Sequence, residues 1–219
     1  MAHNQQPVRH LVVLGHPAPG SFNHQLADTW CETIASCGQE VELRDLYALG
    51  FDPLLKAGER PSSRGFTPGP DVAMELEALR GVQALTLVYP IWFGMPPAII
   101  KGYVDRVLGA GFSARDIKAG VPHPALHGKH LMILTTSGTT LPWLEAQGQW
   151  ASLCQGFDTY LTTIFSLAGH EHLHFDSIVE DVRPHYLAEC LEDTRQRARR
   201  FCAARFAEAH RRVLHSEAV

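Results

Sequence analysis

The chain has 219 residues, a formal net charge of −4, 45% hydrophobic residues and 19% charged residues. This composition builds a sizeable core and excludes disordered and collagen-like chains, and the charge argues against a protein made to neutralise the phosphates of a nucleic-acid duplex. The length fits one domain over 1–219, with a flexible end at 1–8 and a C-terminal helix and tail at 183–219.

Cys31, Cys37, Cys154, Cys190 and Cys202 show neither a C-x-x-C pair nor zinc-type spacing, so they read as buried thiols of a reducing cytoplasm. No basic segment followed by an apolar run opens the chain, so no signal peptide is expected. Residues 81–100 carry no charge, a length that would span a bilayer at about 1.5 Å per residue. Pro90, Gly94, Pro96 and Pro97 break that run into a buried strand, a loop and a helix start, and no membrane insertion is expected.

Short apolar runs alternate with helical patterns, which predicts parallel βαβ units. Residues 11–15 read as a strand buried on both faces. Leu26, Ala27, Trp30 and Ile34 recur at helical spacing within 22–37, and Gly38 stands where a left-handed cap closes a helix. Residues 41–46 alternate like a strand near an edge. Residues 58–70 gather glycines, prolines, Ser62 and Ser63, and predict a mobile surface loop. A short helix is expected over 74–79, a buried strand over 84–89, and a helix over 96–108 with prolines in its first turn. Residues 109–128 read as irregular, 131–136 as a buried strand, 143–168 as mostly helical with breaks near Gly148 and Gly156, and 170–175 as the last strand. In 184–215, Leu187, Leu191, Thr194, Ala198 and Phe201 form one helical stripe, roughly 48 Å long if unbroken. The run Arg195, Arg197, Arg199 and Arg200 reads as a solvated face.

Ligands of an open doubly wound sheet bind beyond the carboxyl ends of its strands. After the first strand, the segment His16-Pro17-Ala18-Pro19-Gly20-Ser21-Phe22-Asn23 leads into a helix amino terminus, where free N–H groups favour an anion such as phosphate. Ser21 as an ordinary N-cap explains the segment equally well. After the third strand, Pro90-Ile91-Trp92-Phe93-Gly94 sets two aromatics on a loop, suited to covering a flat heterocycle or to plugging the core. After the fourth, Thr135-Thr136-Ser137-Gly138 is a turn rich in donors. Together the three loops describe a flavin nucleotide. No G-x-G-x-x-G follows the first strand, no phosphate-loop lysine motif and no G-x-S-x-G elbow exist, and His16 and Pro17 stand where a phosphoacceptor would place acids. His170, His172 and His174 alternate and so share one strand face; hydrogen bonding is expected of them rather than a metal. His123, His127 and His130 are expected near a cleft.

The segments HPAPGSFN, YPIWFGMPPAIIKGYVDRVL and TTSG, in that order, resemble the flavodoxin-like NAD(P)H quinone oxidoreductases. That family includes mammalian quinone reductases, bacterial modulator-of-drug-activity proteins and ancillary flavoproteins of potassium efflux systems. The resemblance implies a flavodoxin-like three-layer α/β fold with a five-stranded parallel sheet in order 2-1-3-4-5. It implies that His16, Ser21, Phe22 and Asn23 hold the flavin phosphate, that Pro90, Ile91, Trp92, Phe93 and Gly94 cradle the isoalloxazine, and that Thr135, Thr136, Ser137 and Gly138 meet its pyrimidine edge. Arg183 stands where some FAD-binding members place an arginine near the second phosphate, so FAD is the expected cofactor and FMN the alternative.

NAD(P)H is the implied co-substrate and a quinone-like electrophile the acceptor, in a two-electron ping-pong exchange that assigns no catalytic side chain. The alternative is a flavin- and nicotinamide-binding regulatory subunit of a potassium efflux system. A homodimer is implied, with 109–128 expected in the partner contact. Several members carry a Tyr and then a His beyond the fourth-strand turn to manage protons. Here Trp143 and Gln149 stand there, and neither exchanges a proton at neutral pH. Ser137 takes the place of a glycine.

Overall fold

The computed structural model describes residues 7–61 and 65–216, with side chains as far as Arg211. Strand β1 (Arg9–Leu14) is followed by α1 (Phe22–Ser36) and β2 (Glu40–Asp45), and a 3-10 turn at Ala57–Glu59 precedes α2 (Pro70–Ala78). Strand β3 (Ala84–Pro90) leads into α3 (Ala98–Tyr103), which runs on as a π turn over Val104–Leu108, and the short α4 (Ala114–Lys118) precedes β4 (His130–Thr136). Then α5 (Leu141–Ala146), α6 (Gln149–Leu153), a π turn over Cys154–Thr159 and α7 (Tyr160–Ile164) lead to β5 (Gly169–Phe175), and α8 (Pro184–Ser216) follows.

The strands form one parallel sheet in the order β2-β1-β3-β4-β5, as expected. The three inner strands are buried almost throughout, which is why they read as continuous apolar runs, whereas the edge strands β2 and β5 are polar and half-exposed. On one face, α1 and α8 cover Val12, Leu14, Val88, Met132 and Leu134, with Trp30 and Phe201 packed ring to ring at 5.6 Å. The stripe foreseen on α8 faces inward there: Thr194, Ala198 and Phe201 are buried. On the other face, α3, its π turn and the π turn before α7 cover Leu85, Leu87, Tyr89, Leu131 and Ile133.

A buried ionic cluster anchors the long connection between β2 and β3. Arg106, in the π turn after α3 and only 2% exposed, donates from Nε and Nη2 to Glu59 at 2.8 and 2.7 Å and from Nη1 and Nη2 to Asp71 at 2.6 and 3.0 Å. It also donates to the Asp52 carbonyl oxygen. The guanidinium holds the Glu59 carboxyl down at about 2. Nearby, Arg44 and the Tyr103 hydroxyl both donate to Glu75.

Several boundaries differ from the sequence reading. Helix α2 begins at Pro70, four positions before the first expected helical residue, because proline at the first turn is compatible with a helix. The segment read as irregular contains α4, closed by a box in which the Asp116 carboxylate accepts from Ser113 N at 2.8 Å. Gly148 breaks the 143–168 stretch as foreseen, at φ +69°, but Gly156 sits inside a π turn. Val8, expected in a flexible end, is buried and its carbonyl accepts from Glu40 N, while 1–6, Ser62 and Ser63 lie outside the described residues. The five cysteines are free, yet only Cys190 and Cys202 are buried, and Cys37 is exposed. His123 lines no cleft: it is 1% exposed between the edges of Phe112 and Phe165. No helix among the described residues is long and apolar enough to cross a membrane.

Candidate cofactor site

The strand order reverses between β1, which pairs with β2 on one side, and β3 on the other, so the crevice of this sheet opens at their carboxyl ends. Gly15 closes β1 there because α3 comes too near for a side chain: a Cβ would lie 2.6 Å from Ile100. Its N–H donates to the Val88 carbonyl, extending the β1–β3 ladder to the mouth of the crevice.

The loop 15–21 then turns through Gly20 at φ +72° into α1. Ser21 stands at the N-cap position but makes no capping hydrogen bond. Its hydroxyl instead pairs with His24 Nδ1 at 2.8 Å, and His24 Nε2 with Asp45 at 3.2 Å. The ordinary-cap explanation therefore fails, and the amino end of this 15-residue helix keeps N–H groups for an anion. Asn23, 3% exposed in the first turn, accepts from the Thr136 hydroxyl at 3.0 Å, while its Nδ2 is buried with no hydrogen-bond partner. A buried amide donor without an acceptor is costly, and a phosphate or a polyol oxygen would satisfy it. His16 accepts from Ala18 N at Nδ1, 3.1 Å, so its Nε2 is left as the donor; burial holds its pKa below the ordinary value.

The loop after β3 is a tight hairpin-like turn. Trp92 and Met95 exchange N–H to C=O bonds of 3.1 Å, with Phe93 at φ +50° and Gly94 at φ +77° between them, the geometry of a primed turn. The turn therefore leaves the N–H groups of Phe93 and Gly94 without an acceptor among the described residues. Trp92 is 42% exposed and Phe93 fully so; the core-plug alternative is excluded, and the primed turn holds Phe93 at a φ that non-glycine residues seldom adopt. Trp92 also lies 5.9 Å from the His16 ring, which brings the first and third-strand loops together. Ile91 donates to the Thr136 carbonyl at 2.7 Å and Pro90 ends β3 against Thr136, tying the aromatic loop to the β4 turn. Gln149 donates through Nε2 to the Gly94 carbonyl at 2.9 Å and packs so closely that a Cβ on Gly94 would lie 2.3 Å from it. It braces the turn, whereas Trp143 is half-exposed.

The β4 turn differs from the open donor set the sequence implied. Thr135 is fully buried and its hydroxyl bonds to His172 Nε2 at 2.7 Å and His174 Nδ1 at 2.8 Å. Thr136 points to the opposite face, toward Asn23. Ser137 N donates to Phe175 O, and its hydroxyl meets both Thr139 O at 2.7 Å and His174 Nε2 at 3.1 Å. Of the four residues 135–138, Gly138 alone is exposed. Arg183, in the loop after β5, is exposed and makes no side-chain hydrogen bond among the described residues. Phe22 packs edge-on to Phe175 at 6.4 Å and serves the core under the helix start.

An uncapped helix amino end, an orphaned amide and an exposed aromatic turn thus gather at the carboxyl ends of the inner strands. Residues 8–201 match the flavodoxin-like fold family. The chain belongs to that family. An NAD(P)H oxidoreductase of uncharacterised role from Haemophilus influenzae is 29% identical over 77% of this chain and 82% of its own. The NAD(P)H dehydrogenase [quinone] 1 of Rattus norvegicus is 32% identical over 60% of this chain, a match that spans only 54% of the rat protein. The solved NAD(P)H:quinone oxidoreductase of Methanothermobacter marburgensis superposes with a TM-score of 0.70 at 22% identity, covering 90% of this chain and 94% of its own.

Proposed function

We propose that this protein is a flavin-dependent NAD(P)H oxidoreductase that reduces quinones or related electrophiles by two-electron ping-pong transfer. The observation that carries this is the buried, partnerless Asn23 Nδ2 at the uncapped amino end of α1, whose preceding loop meets the exposed aromatic turn through the His16–Trp92 ring contact of 5.9 Å. A nucleotide with a phosphate and a planar ring answers all three features. The relatives above, named as oxidoreductases, support an enzyme over the regulatory alternative.

When bound, a flavin would supply the hydride chemistry that links NAD(P)H to the acceptor. The chain's own residues do the rest. The first N–H groups of α1, Asn23 and His16 would hold the phosphate. The Phe93 and Gly94 N–H groups are available to the ring's polar edge, where preformed donors favour added negative charge. Trp92 would cover the ring, and Gln149 holds the turn that carries Trp92. FAD is favoured by the unpaired Arg183 guanidinium, which suits a second phosphate; FMN uses the α1 end alone. The free cysteines suit a reducing, cytoplasmic compartment.

We also propose a homodimer. Leu55, Val104, Phe112, Ile117, Phe157 and Tyr160 line an apolar groove of about 370 Å³, and two of these residues come from the 109–128 segment. Flavin titration of the purified protein, followed by NAD(P)H oxidation with menadione, tests the enzymatic assignment. Failure of the folded protein to bind either FMN or FAD overturns it, and binding without turnover returns the regulatory alternative. Phosphodiesterase treatment of the released chromophore distinguishes the two nucleotides.

A further inference from the structure

The polar groups on the α6–α7 side of the β4 carboxyl end form one continuous chain. Asp158, 1% exposed in the π turn before α7, accepts from His172 Nδ1 at 2.7 Å. His172 Nε2 meets the Thr135 hydroxyl at 2.7 Å, Thr135 meets His174 Nδ1 at 2.8 Å, His174 Nε2 meets the Ser137 hydroxyl at 3.1 Å, and Ser137 donates to the Thr139 carbonyl at 2.7 Å. Trp150 covers both imidazoles, with centroids 4.8 and 4.9 Å away. The pairing of β4 with β5 sets Thr135 beside His174, and the strand's alternation places His172 two residues back on the same face.

Counting hydrogens gives the chain its direction. Five hydrogen bonds run in series. With both imidazoles neutral, the two rings and two hydroxyls supply one hydrogen each, which fills all of these bonds but one. One added proton fills the set: His172 then donates at both nitrogens, Thr135 donates to His174, His174 donates to Ser137, and Ser137 donates to Thr139. The place for the added charge is beside the Asp158 carboxylate, which is buried with its second oxygen unpartnered and needs a countercharge there. Burial and the neighbouring His172 hold His174 neutral, with its pKa lowered to about 4. The other titratable groups around the pair are Cys154 on the π turn, whose thiol burial pushes up to about 11, Tyr89 on β3, raised by burial, and His170 on β5, bound to Thr162.

We propose that Asp158, His172, Thr135, His174 and Ser137 form a proton wire that stores one proton on the Asp158–His172 pair and delivers it to the β4 turn when the acceptor is reduced. This rests on the flavin assignment above and supplies what Trp143 and Gln149 cannot. A quinone becomes a hydroquinone by gaining one hydride, drawn ultimately from NAD(P)H, and one proton. The proton leaves the Ser137 hydroxyl, which regains one from His174 Nε2; the His174 ring, having given up its Nε2 proton, takes one at Nδ1 from Thr135, and Thr135 regains one from His172 Nε2. His172 is left neutral, still donating from Nδ1 to Asp158, until solvent restores its proton. Cys154, Asp158 and His172 present ligand atoms within 4.8 Å of one another, but a zinc site sets its ligands roughly 3.3 Å or more apart, whereas Asp158 and His172 are in hydrogen-bond contact.

The test has two parts. Imidazole ¹⁵N spectra of the protein without added flavin should show His172 protonated at both nitrogens near neutral pH, and singly protonated in Asp158→Asn. A neutral His172 in the parent protein, or stoichiometric zinc lost on Cys154→Ser, overturns the wire whatever the flavin does. Thr135→Val, which keeps the shape and cuts the chain, should bind flavin within about twofold of the parent. It should slow acceptor reduction about 10²-fold and change its solvent isotope effect; an unchanged rate and isotope effect refute the proposal. If the parent binds no flavin, the proposed function falls, while the spectra still decide where the proton resides.

Discussion

Replacing Arg106 by Met keeps an apolar stem in the core but removes the guanidinium that neutralises Glu59 and Asp71. Glu59 is 3% exposed, and its pKa is drawn from 4.5 to about 2, first by its hydrogen bonds with Arg106. At about 1.4 kcal/mol per unit, that depression corresponds to about 3 kcal/mol of stability. Leaving the buried carboxylate unpaired costs about 3–5 kcal/mol by the general behaviour of broken buried pairs, so the two routes agree. Because the folded pKa is lowered, Glu59's contribution is fully present above about 4.5 and disappears as pH falls through about 2. Urea unfolding at about pH 7 should therefore show Arg106→Met destabilised by about 3–5 kcal/mol. At about pH 3 the gap between variant and parent should narrow, since protonated Glu59 no longer needs its partner. A cost below about 1 kcal/mol at neutral pH, or an equal cost at both pH values, would refute the assignment of Arg106 as the anchor of the 52–71 connection.

Asn23→Asp places a negative charge where the orphaned amide stands and should weaken flavin binding by about 2 kcal/mol or more, about 30-fold; fluorescence titration against FMN reads it, and undiminished affinity removes Asn23 from the phosphate site. Trp92→Ala should weaken flavin retention by about 1–3 kcal/mol if the indole stacks on the ring, with unchanged occupancy in equilibrium dialysis excluding that role. Gln149→Ala releases the Gly94 carbonyl and should raise the flavin dissociation constant by about 2- to 10-fold through loss of one hydrogen bond. If Gln149→Ala binds as the parent does, the turn holds its shape through the Trp92–Met95 pair alone.

Much of the fold was legible because the inner strands are buried on both faces, so the apolar runs at 11–15, 84–89 and 131–136 carried their own signal. The three loops were legible for a different reason: each follows a strand and gathers residue types that a core has no use for. The exposed Phe93 and the uncapped Ser21 remove the core-plug and ordinary-cap explanations that composition left open. Thr135 misled, because its place in a hydroxyl-rich turn says nothing about which face of β4 it occupies; it points to the histidines and away from Asn23. The alternation of His170, His172 and His174 announced a shared face, but their partners lie on β4 and in a π turn that periodicity does not reveal. Arg106 was visible only as one letter of a motif, since the acids it binds are 47 and 35 residues away.

Residues 154–159 form a turn with i to i+5 bonds rather than α pitch, the length of a helix into which one residue has been inserted. Each residue of an α-helix advances by about 100°, so deleting Gly156 to restore α pitch would shift the phase of Phe157 and Asp158 relative to the helix before them. The wide turn thus sets the phase at which Phe157 enters the core while Asp158, the next residue, faces His172. Length variation at this point among flavodoxin-like chains would then sort those with an inward acid from those without one.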